Sequence, residues 1–221
     1  MRWEHPLRGL LSPGEFIPIA ERTGLIADID AWVMDQACRQ MCQWLADGAP
    51  LSFIAINVSS RLFARRELYE QVAQVLHTTG LDPAFLELEV TESAVMDDPE
   101  VALEQLHRLR ELGVTLAIDD FGTGYSSFSY IQRLKVHKLK IDQSFVRHLG
   151  EDPSAPHIVR AIIGLAQSLD LETIAEGVET VSQRDVLLGL GCDTGQGYHF
   201  SRPVPAADLQ GLLTQGHAVL G

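Results

Sequence analysis

Cysteine is scarce in this chain, and its placement excludes both a disulfide framework and a thiolate metal site. Cys38, Cys42 and Cys192 make an odd count without metal-ligand spacing. Cys38 and Cys42 fall one helical turn apart among apolar neighbours and read as reduced core thiols. Basic residues are outnumbered: 17 lysines and arginines face 30 aspartates and glutamates, for a formal net charge of −13. That balance excludes general binding of DNA or RNA polymers, which relies on basic patches to neutralise phosphates. An acidic protein acting on an anionic substrate needs local positive charge, and a bound metal supplies it. Long apolar runs are missing as well. No stretch approaches the roughly 20 residues of a membrane span, and Met1 is not followed by a signal-peptide pattern, so a cytoplasmic location is expected. The eight histidines are scattered, with no HExxH or paired spacing, which argues against histidine-ligated zinc. His199 reads as a packing or surface residue.

What is present is enough apolar material, 46% of 221 residues, for one sizeable core, read as a single domain over residues 1–221. SPGE at Ser12 to Glu15 has the form of a capping box with Pro13 at the first helical position, and Gly24 stops that helix. A longer helix is expected around Ile29 to Leu45, burying Trp32, Val33, Ala37, Met41 and Trp44 on one face. Strands near Phe53, Leu86, Val114, Leu139 and Thr173 then alternate with helices, and GCDTGQGYHF supplies a last strand region. PAADLQGLL closes with a helix. Strict alternation predicts a parallel sheet. Gly80, Gly113 and Gly191 fall just past helix ends, where a left-handed residue is wanted. Glu104 and Arg108 read as a solvated helical pair. Six strands are counted, whereas an alternating barrel needs eight.

The stretch IDDFGTGYSS, Ile118 to Ser127, places Asp119 and Asp120 where an apolar strand breaks into a glycine-rich turn. Neighbouring strand residues point to opposite faces, so both carboxylates reach one site only if the chain curls there; Gly122 and Gly124 are expected to permit that. Adjacent carboxylates suit a hard cation such as magnesium, which keeps positions for phosphate and water. A plainer reading has Asp119 capping the next helix and Asp120 solvated. Other strand-like runs end in matching groups, however: Asn57 in FIAIN, Glu89 and Glu92 around FLELEV, Lys140 and Asp142 in and after KLKI, Glu176 and Glu179 in TIAEGVE. Spread over an open sheet with strands about 4.8 Å apart, these could not share one ion; closing the sheet into a barrel makes them converge at the strands' carboxyl ends.

Taken together, RWEHP with LLSPGEFIPIAE, INVS, LELEVTES, IDDFGTGYSS, KLKIDQSFV, TIAEGVET and GCDTGQGYHFSRP resemble, in order and over nearly the whole chain, the EAL domain family of bacterial cyclic di-GMP phosphodiesterases. The resemblance implies an α/β fold, a TIM-like (β/α) barrel of the EAL type, here incomplete with about six of eight strands. It implies magnesium or manganese in a two-metal site held by Asn57, Glu89, Asp119 and Asp120, with Asp119 bridging. Lys140 would contact the attacking water or the phosphate, and Glu176 would serve as base or metal partner. Arg2, Asp142, Glu179 and Gln196 are expected on the substrate side. Glu92 would organise the loop after Asp120, which lies at a homodimer contact in the family.

The start of the chain departs from the pattern. The family motif reads ExLxR; Arg2 matches its arginine, and the chain begins just after the glutamate and leucine. The glutamate, a metal ligand in the family, is not among these residues, nor is the first strand or most of the second. Glu4 falls beyond the strand end, next to Pro6, and is no obvious substitute. A fragment of a longer protein is the preferred explanation over natural truncation, because every downstream site residue is intact. Unpaired sheet edges near Phe53 and Gly195 and impaired turnover are then expected. Two other readings compete. A non-catalytic cyclic di-GMP-binding module would tolerate the lost ligand but has no use for the retained metal shell. An enolase-like barrel, with Lys138 or Lys140 abstracting a proton, has no role for adjacent Asp119 and Asp120.

Overall fold

The computed structural model describes every residue except 66, 125–127, 153 and 215–221. The end of the IDDFGTGYSS stretch thus lies outside the described residues. A short antiparallel hairpin, β1 (Trp3–His5) and β2 (Gly9–Leu11), comes first. Its three-residue strands are too short for alternation to show in the sequence. Helix α1 (Pro13–Thr23) starts as expected: the Ser12 N–H donates to Glu15 Oε2 at 3.1 Å, and Gly24 ends it at φ 85°. Helix α2 (Ile26–Ala46) buries Met34, Cys38, Met41 and Trp44. Trp32, placed on that face by the sequence reading, is instead 59% exposed, because the 100° step per residue sets it beside the stripe that Met34 and Cys38 occupy.

The main sheet then follows the chain: β3 (Ile54–Val58), β4 (Leu86–Thr91), β5 (Thr115–Phe121), β6 (Lys138–Ile141), β7 (Glu172–Ala175) and β8 (Thr194–Gly195). Spatial order equals sequence order and every pairing is parallel, so each crossover lands its strand beside the last. The connections carry α3 (Ser60–Phe63), α4 (Leu68–Thr79), α5 (Glu92–Asp97), α6 (Pro99–Glu111), α7 (Phe128–Leu134), α8 (Gln143–Val146), α9 (Ala155–Ser168) and α10 (Val181–Leu190); α11 (Ala206–Thr214) follows the sheet. Six strands curl as part of an incomplete barrel, with β3 and β8 as its edges, as expected.

Alternation decides which side chains face where. In β4, Leu86, Leu88 and Val90 join the apolar layer between sheet and helices, leaving Glu87 and Glu89 on the inner face. In β6, Leu139 and Ile141 do the same, leaving Lys138 and Lys140 inward. Leu106 and Leu109 of α6 and Val159 and Ile163 of α9 complete that layer. Burying each such side chain contributes about 1.5–3 kcal/mol. Gly80, Gly113 and Gly191 are left-handed at φ 72°, 92° and 81°, as the sequence demands. Arg108 does not pair with Glu104 as expected; it reaches across to Glu70 of α4 at 2.7 Å and stacks on Tyr69. A contact between helices replaces one within a helix because α4 and α6 lie side by side.

Candidate metal centre

Lys140 is the hub of the site. It is 2% exposed, and its Nζ lies 2.8 Å from Glu89 Oε2, 3.1 Å from Asp119 Oδ1 and 2.6 Å from Glu176 Oε1. These side chains come from β4, β5, β6 and the residue after β7, so four successive segments place their charged groups at one point. Burial opposes the Lys140 charge, but the three carboxylates outweigh it and hold the ammonium protonated well above its ordinary range. One ammonium does not neutralise three carboxylates. Burial, aided by mutual repulsion, raises the pKa of Glu89 and of Glu176 despite the lysine.

Asp120 joins from the other side. The sequence reading gave the curl after Asp119 to Gly122 and Gly124. The structure gives most of it to Asp120 itself, which is left-handed at φ 54°, and to a register shift between Ile118 and Phe121. Gly122 adds φ 97°. Gly124 serves clearance instead: a Cβ there would stand 3.0 Å from Glu92 Oε1. Oxygens of Asp119, Asp120 and Glu176 all lie within 4.8 Å of one another. The N–H of Asp120 donates to Asp119 Oδ1 at 2.9 Å, and the start of the helix that Asp119 was expected to cap lies outside the described residues. This all-oxygen donor set fits a hard divalent cation. Burial first, then Asp119 and Asp142, pushes the Asp120 carboxyl above its usual range, the behaviour of a site with surplus negative charge.

The remaining predicted residues divide. Asn57 stands opposite Glu89 in the β3–β4 register, exposed along the open edge. Asp142 caps α8 through the Ser144 N–H at 3.0 Å and lies against Asp120. Glu92 accepts the Gly122 N–H at 2.7 Å, a hold on the loop after Asp120. Gln196 is exposed on the segment after β8, whose backbone is bonded to Ala175 and Val178. Glu179 is exposed, and its N–H donates to Gln183. Arg2 is also exposed: it donates to the Met1 carbonyl at 2.8 Å and lines a cavity of about 680 Å³ with Trp3, Phe16 and Trp32. The geometry therefore gathers Glu89, Asp119, Asp120, Lys140, Asp142 and Glu176; among the described residues, the hydrogen bonds of Arg2 and Glu179 go to Met1 and Gln183. Sequence reasoning missed Gly177 and Gly197, which hold the chain around Glu176; their presence inside polar motifs was the available signal.

Comparison with known proteins bears on the family and the fold. The EAL domain family model matches residues 1–203. The bifunctional diguanylate cyclase/cyclic di-GMP phosphodiesterase MucR of Pseudomonas aeruginosa is 47% identical over 209 residues, covering 95% of this chain and 30% of that protein. The cyclic di-GMP phosphodiesterase NbdA of the same organism is 44% identical over 213 residues, covering 96% and 26%. The chain spans 25–34% of the length of such curated relatives. Among solved structures, the PaMucR phosphodiesterase in its c-di-GMP complex superposes with a TM-score of 0.91 at 48% identity, covering 94% of this chain and 84% of that one. The EAL enzyme Bd1971, bound to cAMP and cyclic di-GMP, gives 0.89 at 35%, covering 96% and 58%. Matched by the family model over residues 1–203 and by relatives along nearly its whole length, the chain belongs to the EAL domain family.

Proposed function

We propose that this domain hydrolyses cyclic di-GMP to linear pGpG with magnesium or manganese as cofactor. The observation that carries the reading is the meeting of Glu89, Asp119 and Glu176 around Lys140, with Asp120 alongside, in a chain of this family. Asp119, Asp120 and Glu176, joined by Glu89 and Asn57, would hold the cations, which supply Lewis-acid polarisation of phosphate and water. Linear pGpG carries a 5′-phosphate, so a water oxygen bonds to phosphorus while the P–O3′ bond breaks. The second oxygen of Glu176, Oε2, is the group to take the water's proton, since Oε1 holds Lys140. Lys140 places fixed positive charge where negative charge builds on the phosphoryl oxygens. The leaving 3′-oxygen picks up a proton to give the hydroxyl. Arg2, Asp142, Glu179 and Gln196 are proposed to orient the substrate.

Three free cysteines, and no described helix long and apolar enough to cross a membrane, suit a cytoplasmic setting. The Glu92-held loop is the proposed homodimer contact. Because these 221 residues do not include the glutamate of ExLxR, turnover by this chain alone is expected to be weak. Product analysis with Mg²⁺ or Mn²⁺, beside equilibrium binding of cyclic di-GMP with Ca²⁺, tests both points. Robust turnover overturns the impairment; tight binding with no linear product under any metal replaces the hydrolase by a binding module.

A further inference from the structure

We infer that Gly197 is a positioning residue for Glu176: it sets the path of the segment that carries this carboxylate and so controls cation binding. The inference rests on the metal site proposed above. Glu176 lies just past β7, where the regular ladder has ended, and its direction must be fixed by other contacts. Its N–H donates to the Ile141 carbonyl at 3.1 Å, tying it to β6. The two residues that follow are held from opposite sides. Gly177, left-handed at φ 68°, presses on α8, and a Cβ there would stand 2.6 Å from the Cβ of Gln143. Val178, fully buried, donates to the Gln196 carbonyl at 3.0 Å and accepts the His199 N–H at 2.9 Å. Ahead of Glu176, the Ala175 carbonyl accepts the Gln196 N–H at 2.8 Å. Residues 196–199 therefore run as a strap over residues 175–178.

The closest point of the strap is Gly197. A Cβ there would fall 2.2 Å from the Val178 carbonyl oxygen and 2.4 Å from its nitrogen. Both are backbone atoms, so no rotamer change relieves the clash. Either the strap lifts or the Val178 peptide moves, and Val178 is two residues from Glu176. A shift of that kind acts on a carboxylate whose oxygens lie within 4.8 Å of those of Asp119 and Asp120. Gly164 and Gly189, in α9 and α10, have nothing within 4 Å of a built Cβ and serve as controls.

The test is Mn²⁺ affinity of the full 221-residue chain, measured by calorimetry and by the electron paramagnetic resonance signal of free Mn²⁺. Gly197→Ala should weaken binding about tenfold, the scale for losing a ligand's supporting contact, while Gly164→Ala leaves it unchanged. In a Glu176→Gln background the same Gly197→Ala change should alter affinity less than about twofold, because the residue it positions no longer binds as a carboxylate. A purely structural role would weaken both backgrounds equally, and that result, or wild-type affinity in Gly197→Ala, overturns the inference. If Gly197→Ala does not fold, Gly177→Ala, which pushes the same segment from the other side, carries the same expectation in both backgrounds. Failure of the unsubstituted chain to bind Mn²⁺ would instead remove the metal site itself, and the inference with it.

Discussion

The barrel interior holds two lysines on one strand, two residues apart, and they live in opposite electrostatic worlds. Lys140, at the rim, faces Glu89, Asp119 and Glu176, with Asp120 close by. Lys138, at the floor, lies 2.7 Å from Glu87 Oε2 and 3.9 Å above the Phe53 ring, with the mostly exposed Glu172 at 3.7 Å. Glu87 is fully buried, and its contact with Lys138 is an ion pair without aligned hydrogen-bond geometry; neither of its oxygens has a hydrogen-bond partner among the described residues. At the floor a single buried carboxylate faces the ammonium, which also lies over an aromatic ring. The rim carries an excess of carboxylate that its own ammonium does not cancel. Surplus carboxylate at the carboxyl ends of strands could hold a cation, and the buried ion pair at the other end needs none.

Replacing each lysine by methionine breaks the comparison most directly. Either change strands buried carboxylate, so in chelator each should cost about 3–5 kcal/mol of stability by urea unfolding. Their response to Mn²⁺ should differ. Lys140→Met frees three carboxylates for the cation, and saturating Mn²⁺ should return about 2–3 kcal/mol, more than it gives the unsubstituted chain. Lys138→Met should gain no more than the unsubstituted chain does. Equal rescue of both would show that rim and floor do not differ in the way argued. Glu92→Ala is the next probe: it removes the acceptor of the Gly122 N–H and should cost about 1–3 kcal/mol, with loosening confined to the rim. Hydrogen exchange that quickened at the floor as fast as at residues 121–124 would contradict that confinement.

The rim was legible in the sequence and the floor was not, for a physical reason. Asp119, Asp120 and Glu176 stand where an apolar run stops, and Glu89 and Lys140 lie one residue short of such a stop, so position along the strand marked them before any geometry was known. Glu87 and Lys138 sit near the starts of LELEV and KLKI, where a polar residue looks like ordinary alternation; only the fold, with Glu87 opposite Thr115 and Lys138 opposite Ala117 on the intervening β5, lets them meet diagonally at 2.7 Å. The six parallel strands and their helices followed from alternation and glycine stops. The curl at Asp120 did not, because a left-handed aspartate is uncommon and glycines beside it offered the cheaper explanation. Trp32 was misplaced because aromatic size suggests burial more strongly than its helical angle allows. Gly197 was invisible as a positioning residue because its neighbour in space, Val178, is far from it in sequence.

The smallest expected effect concerns His137, just below the floor. Its Nδ1 accepts the Leu116 N–H at 3.0 Å, so this nitrogen is unprotonated in the fold. Burial first, then Arg110, lowers its pKa from the ordinary 6.5; Glu172 pulls the other way, and Lys138 adds a smaller push downward. A histidine depressed in the folded state binds fewer protons there than in the unfolded chain, so stability rises with pH. Its contribution is complete above about pH 6.5 and is lost as pH falls towards the folded value. Urea unfolding at pH 7.5 and 5.0 should therefore show a decline for the unsubstituted chain that is smaller in His137→Gln, whose side-chain oxygen can still accept from Leu116. The rim carboxylates, raised rather than lowered, push in the opposite direction and are common to both proteins, so the difference between the two slopes isolates the floor. Identical slopes would show that the imidazole titrates alike in the folded and unfolded chain, and that the electrostatic contrast between the two ends of the barrel stops short of residue 137.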